Sequence, residues 1–296
     1  MTTDNQFSQI ILDLAAEAGR LALKYQGRAD PSLKKDGSVV TKADIAVSKL
    51  CRKRLSKFLK TKDHLLIEEE DPHISCLVDQ SLFERTPYVW AIDPIDGTQA
   101  YANGMPNYGI SIGLLKDCKP FMGAVYLPAF GELFFHDGVK ATFVKNAFTK
   151  NEKRKTIQPA KAKVSPQSFM LCEETFLKKF NWDFKDIHLL ISASAVVDLC
   201  WPAIGRGFGC IFKAQLWDFA ASWPIFRAAG LDLRSLRTGK VLNSLCADLF
   251  IGPKRPFRLK EYYVLSSQRN FAFIQEKIKG INPHLRKEND EFRSTQ

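Results

Sequence analysis

The stretch Trp90-Ala91-Ile92-Asp93-Pro94-Ile95-Asp96-Gly97-Thr98 ends an apolar run with two carboxylates and a turn. Pro94 disfavours helical geometry at the residue before it, so we expect the strand to stop at Asp93. Asp96-Gly97 is typical of a tight turn, which would fold the second carboxylate back toward the first. The two carboxylates and the Ile95 carbonyl oxygen between them could then bind Mg²⁺, which prefers oxygen ligands. No His or Cys accompanies them, which argues against zinc.

The residues that follow this acidic pair suit a phosphate group. A turn or helix that begins at Gly97-Thr98 would present free backbone N–H groups, which bind phosphate well. Metal-binding carboxylates and a phosphate-binding turn therefore lie within six residues. This combination favours metal-assisted hydrolysis of a phosphate ester.

Other acidic residues are found where apolar runs begin or end. Asp44 follows Val-Val-Thr-Lys-Ala, Glu69 and Glu70 follow a short apolar run, and Asp218 stands in Leu-Trp-Asp-Phe-Ala-Ala. Carboxylates at the ends of strands can meet in one crevice, where open α/β sheets bind ligands. Each also has an ordinary structural explanation, since an Asp at a helix start is usually a cap and an acidic strand end is usually solvated. Their combination favours a shared site, whose negative charge would require a cation.

The length of 296 residues allows one large domain or two fused halves. Composition changes sharply at residues 145–166, where Lys, Asn, Pro and Gln replace apolar positions. We therefore place a boundary there and predict an N-terminal half at 1–150 and a C-terminal half at 151–296. Helical and strand patterns alternate in both halves, which predicts a layered α/β (α+β) fold.

The apolar spacing predicts several individual elements. An amphipathic helix is expected over 4–26, and Thr41 is expected to cap a second helix that ends near Lys60. Further helices are expected near 194–204 and 218–229. Strands are expected at 64–67, 88–92, 169–172, 208–213 and 248–251, with antiparallel hairpins between 108 and 135. Residues 29–40 read as a loop or short hairpin.

The net charge is +11, which attracts anions such as phosphorylated metabolites or nucleic acid. Basic residues are dense at 42–62 and 145–163, but no aromatic residues interleave with them, which disfavours stacking on single-stranded nucleic acid. The longest apolar runs are too short to span a membrane, and no secretory signal is visible. The seven Cys are scattered singly without a C-x-x-C pair, so we expect a cytoplasmic protein without structural disulfides.

The chain resembles the inositol monophosphatase-like, lithium-sensitive, metal-dependent phosphatases from Lys34 to the region after Asp218. The matching segments are residues 34–44, 69–70, 90–98 and 216–221. The resemblance implies a layered αβαβα sandwich of the inositol monophosphatase/fructose-1,6-bisphosphatase type, two or three Mg²⁺ ions and, in many members, a homodimer.

The resemblance also implies a role for each matching residue. Glu69, Asp93 and the Ile95 carbonyl would hold one Mg²⁺, and Asp93, Asp96 and Asp218 a second. Thr98, paired with Asp44, would orient and deprotonate the attacking water, while Gly97 and Thr98 would bind the phosphate through their N–H groups. Ser194, Ala195 and Lys213 fall where members of the family contact the substrate, and Lys34 could add positive charge near the site.

Several features depart from the family pattern. Glu68 precedes the Glu pair where Gly or Ser is usual, so either Glu68 or Glu69 could be the metal ligand. Lys213 stands where inositol-specific members have an acidic residue, and a Lys would favour a second anionic group on the substrate.

We expect a Mg²⁺-dependent phosphomonoesterase for a small phosphorylated metabolite. The alternatives are a 3′(2′),5′-bisphosphate nucleotidase, a histidinol-phosphate phosphatase and, in another class, a non-catalytic basic module that binds nucleic acid or a protein.

Overall fold

The computed structural model describes residues 3–27, 31–34, 37–71, 80–159, 164–185, 187–252 and 257–281. The α-helices found there are α1 (Thr3–Tyr25), α2 (Lys42–Leu59), α3 (Thr98–Ala102), α4 (Glu174–Lys179), α5 (Ala195–Cys200), α6 (Leu216–Phe219), α7 (Ser222–Ala228) and α8 (Gln268–Lys277). Short 3-10 helices lie at Gln80–Arg85, Pro128–Phe130, Trp201–Ile204 and Ala247–Leu249. Within the described ranges, none of the helices combines the length and apolar character that crossing a membrane requires.

The strands form two large sheets and two small ones. They are β1 (Ser32–Leu33), β2 (Val39–Val40), β3 (His64–Glu68), β4 (Tyr88–Asp96), β5 (Gly109–Lys116), β6 (Lys119–Leu127), β7 (Glu132–His136), β8 (Ala141–Lys145), β9 (Lys153–Thr156), β10 (Phe169–Cys172), β11 (Phe180–Trp182), β12 (His188–Leu190), β13 (Gly209–Phe212), β14 (Asp232–Ser235), β15 (Tyr263–Ser266) and β16 (Ile278–Ile281). The first sheet has the order β3-β4-β5-β6-β7-β8-β9, with only the β3–β4 pair parallel. The second has the order β12-β10-β13-β15-β14, and two-stranded pairs are formed by β1 with β2 and by β11 with β16.

Both large sheets are covered on each face, because apolar side chains alternate between the two sides of their strands. In the first sheet, Trp90 and Ile92 pack on the side of α1 and α2, whereas Val89 and Ala91 face the opposite side. Helices α5, α6 and α7 fill the space between the two sheets, and α8 covers the outer face of the second. The order of layers is therefore αβαβα, and the predicted sandwich is confirmed.

The N-terminal elements follow the sequence prediction closely. The helix expected over 4–26 is α1, and Thr41 caps α2 by accepting a hydrogen bond from the Ala43 N–H at 3.2 Å. The expected hairpins between 108 and 135 are β5, β6 and β7. The short hairpin read in 29–40 contains the β1–β2 pair in its described part.

Two expectations about elements were wrong. Strand β4 does not stop at Asp93 but continues to Asp96, with an irregular register between these residues that accommodates Pro94. The strand expected at 248–251 is absent from the described structure, where Ala247–Leu249 forms a 3-10 helix. The basic stretch after residue 145 contains β9, whose four side chains are all exposed and so carry no apolar pattern. The first sheet consequently extends past residue 150, and the division into two halves there stays a prediction.

The first sheet and the central helices approach each other so closely that a side chain is excluded at Gly123. A Cβ placed on Gly123 would lie 2.3 Å from the Ala221 carbonyl oxygen, which is backbone and cannot swing away. We expect Gly123→Ala to lower the free energy of unfolding by about 2–3 kcal/mol, measured by denaturant titration. Gly252→Ala is the matched control, since no atom of the described residues lies within 4 Å of its Cβ position. Equal stability of the two variants would contradict this account of the packing.

Candidate metal and phosphate site

Asp93 and Asp96 lie on the same side of the first sheet. Residues three apart in a regular strand would point to opposite faces. The irregular register of β4 between Asp93 and Asp96 removes this alternation and brings both carboxylates together, with side chains buried. Gly97 follows with a φ of 81°, the left-handed conformation that the predicted tight turn requires, and α3 begins at Thr98.

Asp218 reaches the same place from the second half of the chain. It lies in α6, which packs on β4 and β5, and its Oδ2 accepts a hydrogen bond from the Gln215 backbone N–H at 2.8 Å. Ser111 of β5 fixes this helix by donating to the Trp217 carbonyl at 2.7 Å. One carboxylate oxygen each from Asp93, Asp96 and Asp218 lies within 4.8 Å of the others.

A loop before α5 holds Asp96 in a fixed orientation. The carboxylate accepts hydrogen bonds from the Ser194 hydroxyl, from the Ala195 N–H at 3.2 Å and from the Val196 N–H at 3.0 Å. Ala193, just before these donors, has a φ of 64°, which is strained for a residue other than glycine. Ser194 and Ala195 therefore orient Asp96, and their contact with a substrate stays a prediction.

The electrostatics of the three carboxylates fit a divalent cation. Burial, and then the negative charges of Glu69, Asp96 and Asp218, raise the pKa of Asp93 well above its ordinary value. Burial likewise raises the pKa of Asp96 to about 6. It also raises the pKa of Asp218 well above its ordinary value. Asp93 Oδ1 is buried and has no hydrogen-bond partner among the described residues. An oxygen-only set with an unpartnered buried carboxylate oxygen is suited to Mg²⁺.

Of the two candidate ligands at the end of β3, Glu69 faces this site. Glu69 lines the same cavity as Asp93, Asp96 and Asp218. Glu68 is fully buried elsewhere, where its carboxylate accepts hydrogen bonds from the Ser48 hydroxyl and from Arg52 Nε, the latter at 3.1 Å. Glu68 is the last residue of β3 and Glu69 begins the turn that follows, and only Glu69 lines the cavity.

Lys34 is next to this cluster. Its Nζ lies 2.9 Å from Glu69 Oε1 and also pairs with Glu70. Burial lowers the pKa of Lys34, but the charges of Glu69 and Glu70 outweigh burial and raise it overall. Burial and then the Glu69 charge raise the pKa of Glu70 to about 7. Lys34 therefore already offsets part of the negative charge that a metal ion would neutralise.

The contrast between Glu68 and Glu69 can be tested with matched substitutions. We expect Glu69→Gln to raise the Mg²⁺ concentration for half-maximal activity at least about tenfold, because a neutral amide is a weaker ligand for a hard cation. We expect Glu68→Gln to leave that concentration within about twofold, since its contacts are with Ser48 and Arg52. A larger effect from Glu68→Gln would reverse the assignment.

Thr98 and Asp44 meet across the site. The Thr98 hydroxyl lies 3.1 Å from Asp44 Oδ1 and 2.8 Å from the Ile95 carbonyl oxygen. Asp44 Oδ2 accepts from the Thr41 N–H at 2.8 Å and from its hydroxyl at 2.5 Å, which completes the capping box of α2. Burial raises the pKa of Asp44, despite these hydrogen bonds. The helix cap thus fixes a carboxylate that can take a proton from Thr98.

The acidic side chains of Glu69, Asp93, Asp96 and Asp218 border a cavity of about 450 Å³. Ten further residues line this cavity, namely Leu33, Gly37, Ser38, Val39, Gly97, Thr98, Gln99, Ala193, Gln215 and Trp217. Lys213 is not among the described residues of this lining, and its Nζ lies 6.0 Å from the centre of the Tyr262 ring. Gln215 was not among the residues expected at the site, although its position three residues before Asp218 is the capping-box spacing.

Comparison with known proteins gives consistent matches. The model of the inositol monophosphatase family matches residues 4–278. The fructose-1,6-bisphosphatase/inositol-1-monophosphatase of Thermotoga maritima is 24% identical over 74% of this chain and 80% of its own. The histidinol-phosphatase of Chlorobaculum parvum is 38% identical over 43% of this chain and 46% of its own. The 3′(2′),5′-bisphosphate nucleotidase CysQ of Salmonella typhimurium is 25% identical over 82% of this chain and 96% of its own.

A solved structure shows the same fold at low sequence identity. An IMPase/NADP phosphatase complexed with Mg²⁺ and phosphate superposes with a TM-score of 0.71 and 15% identity, over 95% of this chain and 99% of that one. The names of these relatives and of this neighbour state several different substrates. Similarity therefore identifies the type of reaction but not the substrate.

Proposed function

Because the chain belongs to the inositol monophosphatase family of Mg²⁺-dependent phosphatases, we propose that it hydrolyses the phosphate monoester of a small metabolite. The observation that supports this proposal best is the convergence of Asp93, Asp96 and Asp218 within 4.8 Å, from two distant parts of the chain. A structural role for these residues would not require two buried carboxylates and a partly buried third to face one another.

We propose that Mg²⁺ binds to Glu69, Asp93, the Ile95 carbonyl, Asp96 and Asp218. Bound there, it would supply positive charge for the phosphoryl oxygens and for the attacking water. The hydrogen bonds from Ser194, Ala195 and Val196 support this role, because they fix the Asp96 carboxylate before any ligand binds. The number of ions, two or three, stays a prediction.

Thr98 and Asp44 would move the proton of the attacking water. A neutral threonine hydroxyl is too weak a base to take a proton from water alone, but it can do so while it passes its own proton to a carboxylate within hydrogen-bond reach. The distance of 3.1 Å between Thr98 Oγ1 and Asp44 Oδ1 allows this transfer, and burial makes Asp44 a better proton acceptor. Gly97 and Thr98, which line the cavity at the start of α3, would bind the phosphate.

The cavity supports a small substrate and leaves its identity open. Its volume of about 450 Å³ suits a metabolite rather than a polymer. A phosphorylated polyol such as inositol phosphate is our first choice, followed by an adenosine bisphosphate and by histidinol phosphate. The cytoplasmic location and the homodimer remain predictions.

An assay of phosphate release tests this function. Inositol 1-phosphate, 3′-phosphoadenosine 5′-phosphate and histidinol phosphate are each supplied with Mg²⁺ and with EDTA. We expect release from at least one of them, and loss of this release in EDTA. No release from any phosphate monoester, together with steeply salt-dependent binding of nucleic acid, would support the non-catalytic basic module instead.

A further inference from the structure

A second cavity, of about 550 Å³, is larger than the acidic one. It lies between the outer strands of the first sheet and the 3-10 helix Trp201–Ile204. Its described lining contains three cationic residues, Lys145, Lys155 and Arg206, and no Asp or Glu. Its volume falls within the range of small-molecule sites.

The positive charge of this cavity is balanced only at Arg206, which pairs with Glu132. Neither Lys145 nor Lys155 forms an ion pair with a described residue. In the sheet Lys145 stands between Glu132 of β7 and Lys153 of β9. Because the Glu132 carboxylate already pairs with Arg206, it offsets only part of the repulsion between Lys145 and Lys153. An anion bound between these strands would relieve the repulsion.

Arg206 gives the cavity a rigid wall. Its guanidinium pairs through two nitrogens with Glu132, whose side chain is buried, and it lies 5.4 Å from the Trp201 ring centre. Two of its five N–H donors face Glu132, so further donors remain for a ligand. The two flexible lysines would therefore close on an anion against a fixed guanidinium.

We propose that this cavity, defined by Lys145, Lys155 and Arg206, is a second binding site for a small molecule that carries two linked phosphate groups. It is distinct from the acidic cavity, with which it shares no described lining residue. Two linked phosphate groups would carry enough negative charge to engage both lysines and the arginine that follows the 3-10 helix. The proposal does not depend on the phosphatase activity.

Calorimetry with pyrophosphate tests the site on the full chain after metal has been removed by chelation and dialysis. Without metal, the catalytic cavity carries Glu69, Asp93, Asp96 and Asp218 and repels anions, so it will not contribute to the signal. We expect one pyrophosphate per chain. We expect the double substitution Lys145→Gln/Lys155→Gln to weaken the affinity at least about tenfold, because two charge-assisted hydrogen bonds are lost.

The matched control is Lys53→Gln/Lys57→Gln, which removes the same charge from exposed positions on α2. We expect it to change the affinity by less than about twofold. Equal weakening by both double variants would show attraction to net charge alone and overturn the proposal. The absence of binding at millimolar pyrophosphate would also overturn it, as would binding of a single-stranded oligonucleotide that pyrophosphate does not displace.

Discussion

Replacing Asp93 with Asn is expected to lower kcat/KM for a phosphate monoester by about a thousandfold or more, equivalent to roughly 4 kcal/mol of transition-state stabilisation. Asp93 has the central position among the carboxylates, because the charges of Glu69, Asp96, Asp218 and Asp44 all act on it. An amide of the same shape keeps the packing but removes the negative charge that a divalent cation requires.

The same substitution should stabilise the metal-free protein. Burial and neighbouring carboxylates raise the pKa of Asp93 in the folded state, so its ionised form opposes folding above that pKa. Asn has no charge to desolvate, and we expect the melting temperature of the metal-free variant at pH 8 to exceed that of the wild type. Added Mg²⁺ should raise the melting temperature of the wild type much more than that of the variant.

Asp63→Asn provides the control, since Asp63 is exposed in a turn remote from the cavity lining. It should retain activity and the stabilisation by Mg²⁺. If Asp93→Asn turned over substrate within about tenfold of the wild type, the buried carboxylates could not be the metal site, and the proposed function would fail with them.

The site could be predicted in outline because its residues interrupt apolar patterns. Asp93 and Asp96 lie at the end of a strand whose residues are almost all buried, so polar groups there are conspicuous. Asp44 is at the third position of a helix whose cap, Thr41, is readable from the sequence. These local signals pointed to the candidate site residues, and the layered fold places Asp218 beside Asp93 and Asp96 through the packing of α6 on β4 and β5.

Other features depend on contacts that have no local signal. Periodicity cannot decide between Glu68 and Glu69 until the register of β3 against β4 is known, because a shift of one residue exchanges their faces. The role of Ser194 follows only from its hydrogen bond to Asp96, which is almost a hundred residues away in the sequence. Strand β9 consists of exposed Lys, Arg, Lys and Thr, and only its pairing with β8 makes it a strand.

Replacing Thr98 with Val should reduce kcat by about a hundredfold to ten-thousandfold, the contribution usual for a positioned proton-transfer group. Val has nearly the shape of Thr but lacks the hydroxyl that reaches Asp44 Oδ1 and the Ile95 carbonyl. The Mg²⁺ concentration for half-maximal activity should change by less than about threefold, since the carboxylate ligands remain. This separation of kcat from metal affinity distinguishes proton transfer from damage to the metal site.

Thr98→Ser is the conservative control and should recover most of the lost kcat, because it restores the hydroxyl. The pairing with Asp44 is tested by a double-mutant cycle with Asp44→Asn, measured as kcat at saturating Mg²⁺. If the two residues pass one proton along one path, the double variant should be no slower than the slower single variant, since the path is broken only once. Strictly multiplicative losses would mean that Asp44 acts only through the cap of α2 and that the Thr98 proton leaves by another route.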